Sequence, residues 1–101
     1  MQTALVLHKR GYGGEILMDE LREVGKIAHF FSRINVAVID VTDTISVGDK
    51  IFIKGPTTDI EQTIKSMEIE HEKVKQVTAG QSVGMKVDGH VRENDTVYKT
   101  D

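Results

Sequence analysis

The sequence predicts an all-β domain, a small closed six-stranded antiparallel barrel, and three observations carry that prediction. From Glu23 onward, short runs rich in valine, isoleucine and threonine are separated by turn residues at close spacing. Within most of those runs apolar and polar residues alternate, which is the period of a strand with one face buried. The 101 residues leave room for a single core, because a chain of this size buries only about 65% of its unfolded surface. Closing the sheet would remove the two free edges that could otherwise pair with other chains.

The first strand is expected around Val24 to Phe31, with Ile27, His29 and Phe31 on one face and Lys26, Ala28 and Phe30 on the other. Ser32 to Asn35 supplies the turn. Val36 to Val41 is almost wholly apolar and β-branched, as expected of a central strand. Ile45 and Val47 lead into Gly48-Asp49, where glycine supplies a positive φ without steric cost. A third strand, Lys50 to Lys54, sets Ile51 and Ile53 on one face, and Gly55-Pro56 ends it because proline donates no ladder hydrogen bond. A longer strand is expected from about Thr63 to His71, with Met67, Ile69 and His71 opposite Glu68 and Glu70. After an Ala79-Gly80-Gln81 turn, Val83, Met85 and Val87 point inward from a fifth strand, and Val97 to Lys99 makes the sixth. The interior would hold Ile27, Val38, Ile51, Ile53, Ile69, Val83 and Met85.

Residues 21–101 are assigned to the barrel and residues 1–20 to an N-terminal extension, flexible or contributing a short added strand at Ala4 to Leu7. Met18 resembles the natural start of a stand-alone barrel. No apolar run approaches the ~20 residues of a membrane span, and no basic segment precedes Ala4 to Leu7, so a cytoplasmic protein is expected. The net charge of −3, from 13 basic and 16 acidic residues, excludes a strongly positive field that would gather nucleic acid indiscriminately. The absence of cysteine excludes disulfides, thiolate metal sites and thiol nucleophiles.

Three stretches in order, Ile45 to Gly55, Thr63 to Val87 and Arg92 to Lys99, carry a recurring pattern. Its marks are Val47-Gly48-Asp49, Gly55, Ser66-Met67, Ala79-Gly80, Val83-Gly84 and Asn94-Asp95, with Asn94 where the pattern prefers glycine. This order resembles domain II of the translational GTPases such as elongation factor Tu, over Val24 to Lys99. The resemblance implies a barrel of that type and contact with RNA or the ribosome. A similar barrel occurs at the C-terminus of the U32 peptidase-like proteins, which are linked to collagenase-type proteolysis and RNA hydroxylation.

No nucleotide-binding loop accompanies the resemblance: Gly11-Tyr12-Gly13-Gly14 lacks the lysine and hydroxyl that hold phosphate and magnesium. No cofactor is expected. His8, His29, His71 and His90 lack metal-site spacing, and His29 and His71, if both faced inward, would still have no third ligand nearby. Glu68, Glu70 and Glu72 fit a solvated strand face better than an acid/base pair. For RNA contact the candidates are Lys26, Arg33, Lys54, Lys65 and Lys86, with Phe30 and Phe31 as stacking partners. The sequence therefore points to a non-catalytic module, not an enzyme, binding RNA or the ribosome. The alternative is a protein-binding accessory subunit of a U32 peptidase-like or RNA-modifying enzyme.

Overall fold

The computed structural model describes residues 21–100. The expectations for Ala4 to Leu7, His8, the Gly11 to Gly14 run and Met18 lie outside the described residues. The described chain is all β: β1 (Leu21–Phe31), β2 (Val36–Val41), β3 (Ile45–Ser46), β4 (Lys50–Gly55), β5 (Thr58–Thr63), β6 (Met67–Ile69), β7 (Glu72–Val74), β8 (Gln76–Val77), β9 (Ser82–Lys86) and β10 (Thr96–Thr100). All pairings are antiparallel.

The expected closed six-stranded barrel is not found. An eight-stranded sheet runs in the order β5-β4-β10-β1-β2-β9-β6-β7, and β3 pairs with β8 in a separate two-stranded ribbon. Two local causes account for the difference. The expected long strand from Thr63 to His71 is interrupted, because Ile64 leaves the sheet and binds the Gly48-Asp49 turn through both its backbone groups (2.8 and 2.9 Å). Glu70 and His71 then form a two-residue hairpin loop, both with positive φ (51° and 71°), between the paired Ile69 and Glu72. Glu68, Glu70 and Glu72 therefore do not share one strand face.

The second cause is β5, which has one apolar residue, Ile60, and so gives almost no alternation. Its ladder with β4 fixes it, with Gly55 opposite Thr58 across Pro56-Thr57. At the outer side of β5 the backbone ladder stops, and the buried Gln62 amide takes over. Its Nε2 donates to the carbonyl of Lys86 (3.0 Å) and its Oε1 accepts from the N–H of Asp88 (2.8 Å), tying β5 to the end of β9. Gln62→Leu strands both backbone groups and is expected to cost about 2 kcal/mol in urea unfolding, with the fold retained.

The core lies between the inner faces. Ala37, Ile39 and Val41 of β2 face Met85 and Val83 of β9 on one side and Phe30, Ile27 and Gly25 of β1 on the other. Ile53 sits between Val97 and Ile60, and Ile27, Ile51, Ile53, Ile64, Met67, Val77, Val91 and Val97 are all buried. Val38 was expected inside but faces outward and is half-buried, because the inward set of β2 is Ala37, Ile39 and Val41. Ile69 packs against the core from its edge.

Register slips in β1 at Val24 and Ala28 mark two bulges. The second reverses the expected faces beyond it: His29 and Phe31 point outward, paired with Val38 and Val36, and Phe30 points inward opposite Ala37. His29 is thus not an interior residue, and exposed His71 sits in a hairpin loop.

One turn geometry recurs. At Ser46 to Asp49, Thr78 to Gln81 and Arg92 to Asp95, the fourth residue's N–H donates to the first residue's carbonyl (3.0, 3.2 and 3.1 Å). The first residue's N–H in turn donates to the fourth side chain, Asp49, Gln81 or Asp95 (2.9, 2.8 and 2.9 Å). The third position takes positive φ in each case, Gly48 100°, Gly80 94° and Asn94 76°, so asparagine substitutes for glycine here as the sequence suggests. Gly55 has another role: a Cβ there would crowd the Asp95 carboxylate, with Cγ 2.7 Å away. Beside it, buried Thr58 leaves its hydroxyl without a hydrogen bond. Thr58→Val removes that group at nearly constant shape and is expected to raise stability by about 1 kcal/mol, read as a higher urea midpoint.

Candidate interaction surface

The β1–β2 hairpin ends in an exposed apolar tip. Ser32 to Asn35 turn the chain, with the N–H of Ile34 donating to the carbonyl of Phe31 (3.2 Å) and Asn35 in a positive φ of 55°. Phe31 and Ile34 stand 47% and 58% exposed, among the largest exposed apolar side chains of the described residues. With Phe30, Ser32 and Arg33 they line an open hollow of about 490 Å³.

Histidines from two parts of the chain brace this tip. His29 packs edge-on against Phe31 (centroids 4.3 Å apart), and its Nδ1 lies 3.2 Å from Glu93 Oε2. Phe30 packs edge-on against His90 (4.9 Å). A second hollow of about 360 Å³ continues the surface along Phe30, Ser32, His90, Val91, Arg92 and Glu93. The Nε of Arg92 donates to the hydroxyl of Thr57 (2.8 Å), which holds this loop to the β4–β5 turn. The arrangement offers apolar anchors with a polar, charged rim, the composition of a protein-binding patch.

The residues proposed for RNA contact do not gather into one surface. Phe30, Phe31 and Arg33 meet at the tip, and Lys86 lies beside it, opposite Val36. Lys26 lies five positions before Phe31 in β1, opposite Asp40 and Thr96, which puts it about 16 Å along the strand from the tip. Lys54 is held by Asp59 (2.8 Å) and lies 5.9 Å over the Phe52 ring. Lys65 lines a different cleft altogether, with Lys73 and Lys75. Phe30 is partly buried, packed against the core and in edge-type contact with His90, which leaves less of its ring for stacking than Phe31 offers. Sequence reasoning weighed His90 only as a metal ligand and missed Ile34 and Glu93; the one signal for Ile34 was an isoleucine within an otherwise polar four-residue turn. Among the described residues no group of three or more His, Cys, Asp or Glu is placed to hold a metal ion, and no helix is long and apolar enough to cross a membrane.

These features define the class: an all-β domain of one eight-stranded antiparallel sheet and a small ribbon, with an exposed apolar hairpin tip. More particularly, the fold is that of the C-terminal domain of a Geobacillus thermoleovorans protein named for the U32 peptidases. Its crystal structure superposes with a TM-score of 0.73 at 17% identity, over 77% of this chain and 91% of that one. The selenomethionine variant of the same domain gives 0.72 over 75% and 96%. In sequence the chain is 39% identical over 77 residues to an uncharacterized protease of Methanocaldococcus jannaschii, covering 75% of this chain and 19% of that protein. It is 36% identical over 80 residues to a collagenase of Porphyromonas gingivalis, covering 77% and 22%. The chain thus spans about a fifth of the length of the curated relatives it matches. No protein-family model matches it. The solved structures are of a protein named for the U32 peptidases, the sequence relatives are named as a protease and a collagenase, and none of these similarities supports the resemblance to translation-factor domain II.

Proposed function

We propose that this chain is the accessory β domain of a U32-type enzyme and that it acts by docking against that enzyme's catalytic portion through the β1–β2 tip. The observation that carries the reading is the pairing of two similarities. Three-quarters of the chain matches one-fifth of a protease (39% identity), and the fold matches a U32 C-terminal domain solved separately. A segment that accounts for a minor share of such proteins, and folds around its own core, has the character of a module that supports a larger partner. The tip supplies the means, with Phe31 and Ile34 as anchors and Arg33, Glu93 and Lys86 at the rim. The translation reading lacks such a surface, because its basic candidates are dispersed and Lys54 is occupied by Asp59.

The test is isothermal titration of the nuclease-treated chain against the catalytic region of a U32-type protein from the same organism. A patch of this size should bind with a Kd of about 1 to 10 μM, with a negative heat-capacity change from apolar burial. Absence of heat at 100-fold higher concentration would remove the docking reading.

A further inference from the structure

A second surface carries chemistry that the docking tip does not use. Lys65, Lys73 and Lys75 converge on a cleft of about 280 Å³ whose walls include Val47, Met67 and Val74. None of these lysines has an ion pair among the described residues. Val47 is 40% exposed, so the cleft has an open apolar wall beside three lysines, of which Lys73 alone has a carboxylate, Glu68, directly across the ladder.

The cleft borders a short open stretch of sheet edge. β7 is the last strand of the main sheet and pairs only with β6 within it, and one residue beyond β7 the N–H of Val47 donates to the carbonyl of Lys75 (2.9 Å), so the open stretch lies at Lys73. Its hairpin loop has two residues, so Ile69 and Glu72 form a hydrogen-bonded pair, Glu68 and Lys73 a non-bonded pair, and Met67 and Val74 a bonded one. The N–H and C=O of Lys73 therefore point away from β6, toward the open edge. On an edge strand lysine ordinarily repels neutral strands that would pair there. Three converging lysines change that exclusion into selection, since a strand that brings carboxylates gains charge pairing where a neutral one meets desolvation.

We propose that the β7 edge and its lysine cleft bind an extended acidic segment of a partner protein by strand addition. Backbone hydrogen bonds would form at Lys73, alternate carboxylates would meet Lys65, Lys73 and Lys75, and an apolar side chain would enter between Val47 and Val74. An RNA strand is the less suited polyanion, because the cleft has neither an aromatic ring on which a base could stack nor an arginine. The inference goes beyond the docking reading and uses none of the residues at the tip.

The test is nuclear magnetic resonance titration of the full chain with the blocked probe Glu-Val-Glu-Val-Glu, beside Gln-Val-Gln-Val-Gln and a uridine pentanucleotide. The acidic peptide is expected to shift Val47, Lys65, Lys73, Val74 and Lys75, to bind at least about tenfold more tightly than the glutamine peptide, and to weaken in high salt. Lys73→Glu with Lys75→Glu should abolish the shifts while the rest of the spectrum stays folded. Lys73→Gln with Lys75→Gln, which removes charge without reversing it, should weaken binding about tenfold. Equal binding of the glutamine peptide, preferred binding of the nucleotide, shifts elsewhere, or no shifts at millimolar peptide would each overturn the proposal. Failure here leaves docking at the tip unaffected, and failure of the tip leaves these shifts unaffected.

Discussion

Ile53→Asp is expected to leave the chain unfolded, with a disordered circular dichroism spectrum and no cooperative urea transition. Ile53 is fully buried and lies in the ladder between Val97 and Ile60. The substitution loses the transfer and packing energy of an isoleucine, about 2 to 5 kcal/mol. It also places a carboxylate where no cation can reach it, at a further cost of several kcal/mol. A domain of this size has about 5 to 10 kcal/mol of stability in all, so the sum exhausts it. Ile53→Val removes one methylene at the same place and should cost only about 1 kcal/mol. A folded Ile53→Asp protein would mean that β4 presents its other face to the core.

β2 and β4 are legible in the sequence because burial there is strong enough to impose a pattern: Val36 to Val41 is a β-branched run, and Ile51 and Ile53 alternate with Lys50 and Lys54. The turn residues are legible for a different reason, since Gly48, Gly80 and Asn94 occupy positive φ that few residues tolerate. β5 is hidden because its inward positions are Thr58, Ile60 and Gln62, and a glutamine that bridges to Lys86 and Asp88 looks like a surface residue until its partners are placed. Barrel closure fails to follow from strand counting for the same reason, as side-chain bonds stand where a ladder was expected. At the surface, Phe30, Phe31 and Arg33 are recognisable as binding chemistry, but the Ala28 bulge decides which phenylalanine faces out. A bulge leaves no mark on a run without clear alternation such as Ala28 to Phe31. The His29–Glu93 contact joins residues 64 positions apart, beyond the reach of any local pattern.

Joint replacement Phe31→Ser and Ile34→Ser is expected to abolish binding to a U32-type catalytic region without weakening the fold. Both side chains are exposed and outside the buried core, so solvent already reaches much of what the substitutions remove, and unfolding should shift by no more than about 0.5 kcal/mol. An apolar anchor at the centre of an interface is worth about 2 kcal/mol, and two that act together about 3 to 4, which lowers affinity by at least about 100-fold. Arg33→Ala should act differently. Arg33 sits at the rim, where charge steers encounter more than it holds the complex, so its loss should slow association and reduce salt dependence with little change in the dissociation rate. Surface plasmon resonance separates the two effects. If the double serine variant bound as tightly as the parent, the tip would be an incidental apolar turn and the docking face would lie elsewhere on the sheet. If it lost binding and stability together, Phe31 would be supporting the His29–Glu93 contact and with it the Arg92 to Asp95 turn, a structural part that the exposure of its ring argues against.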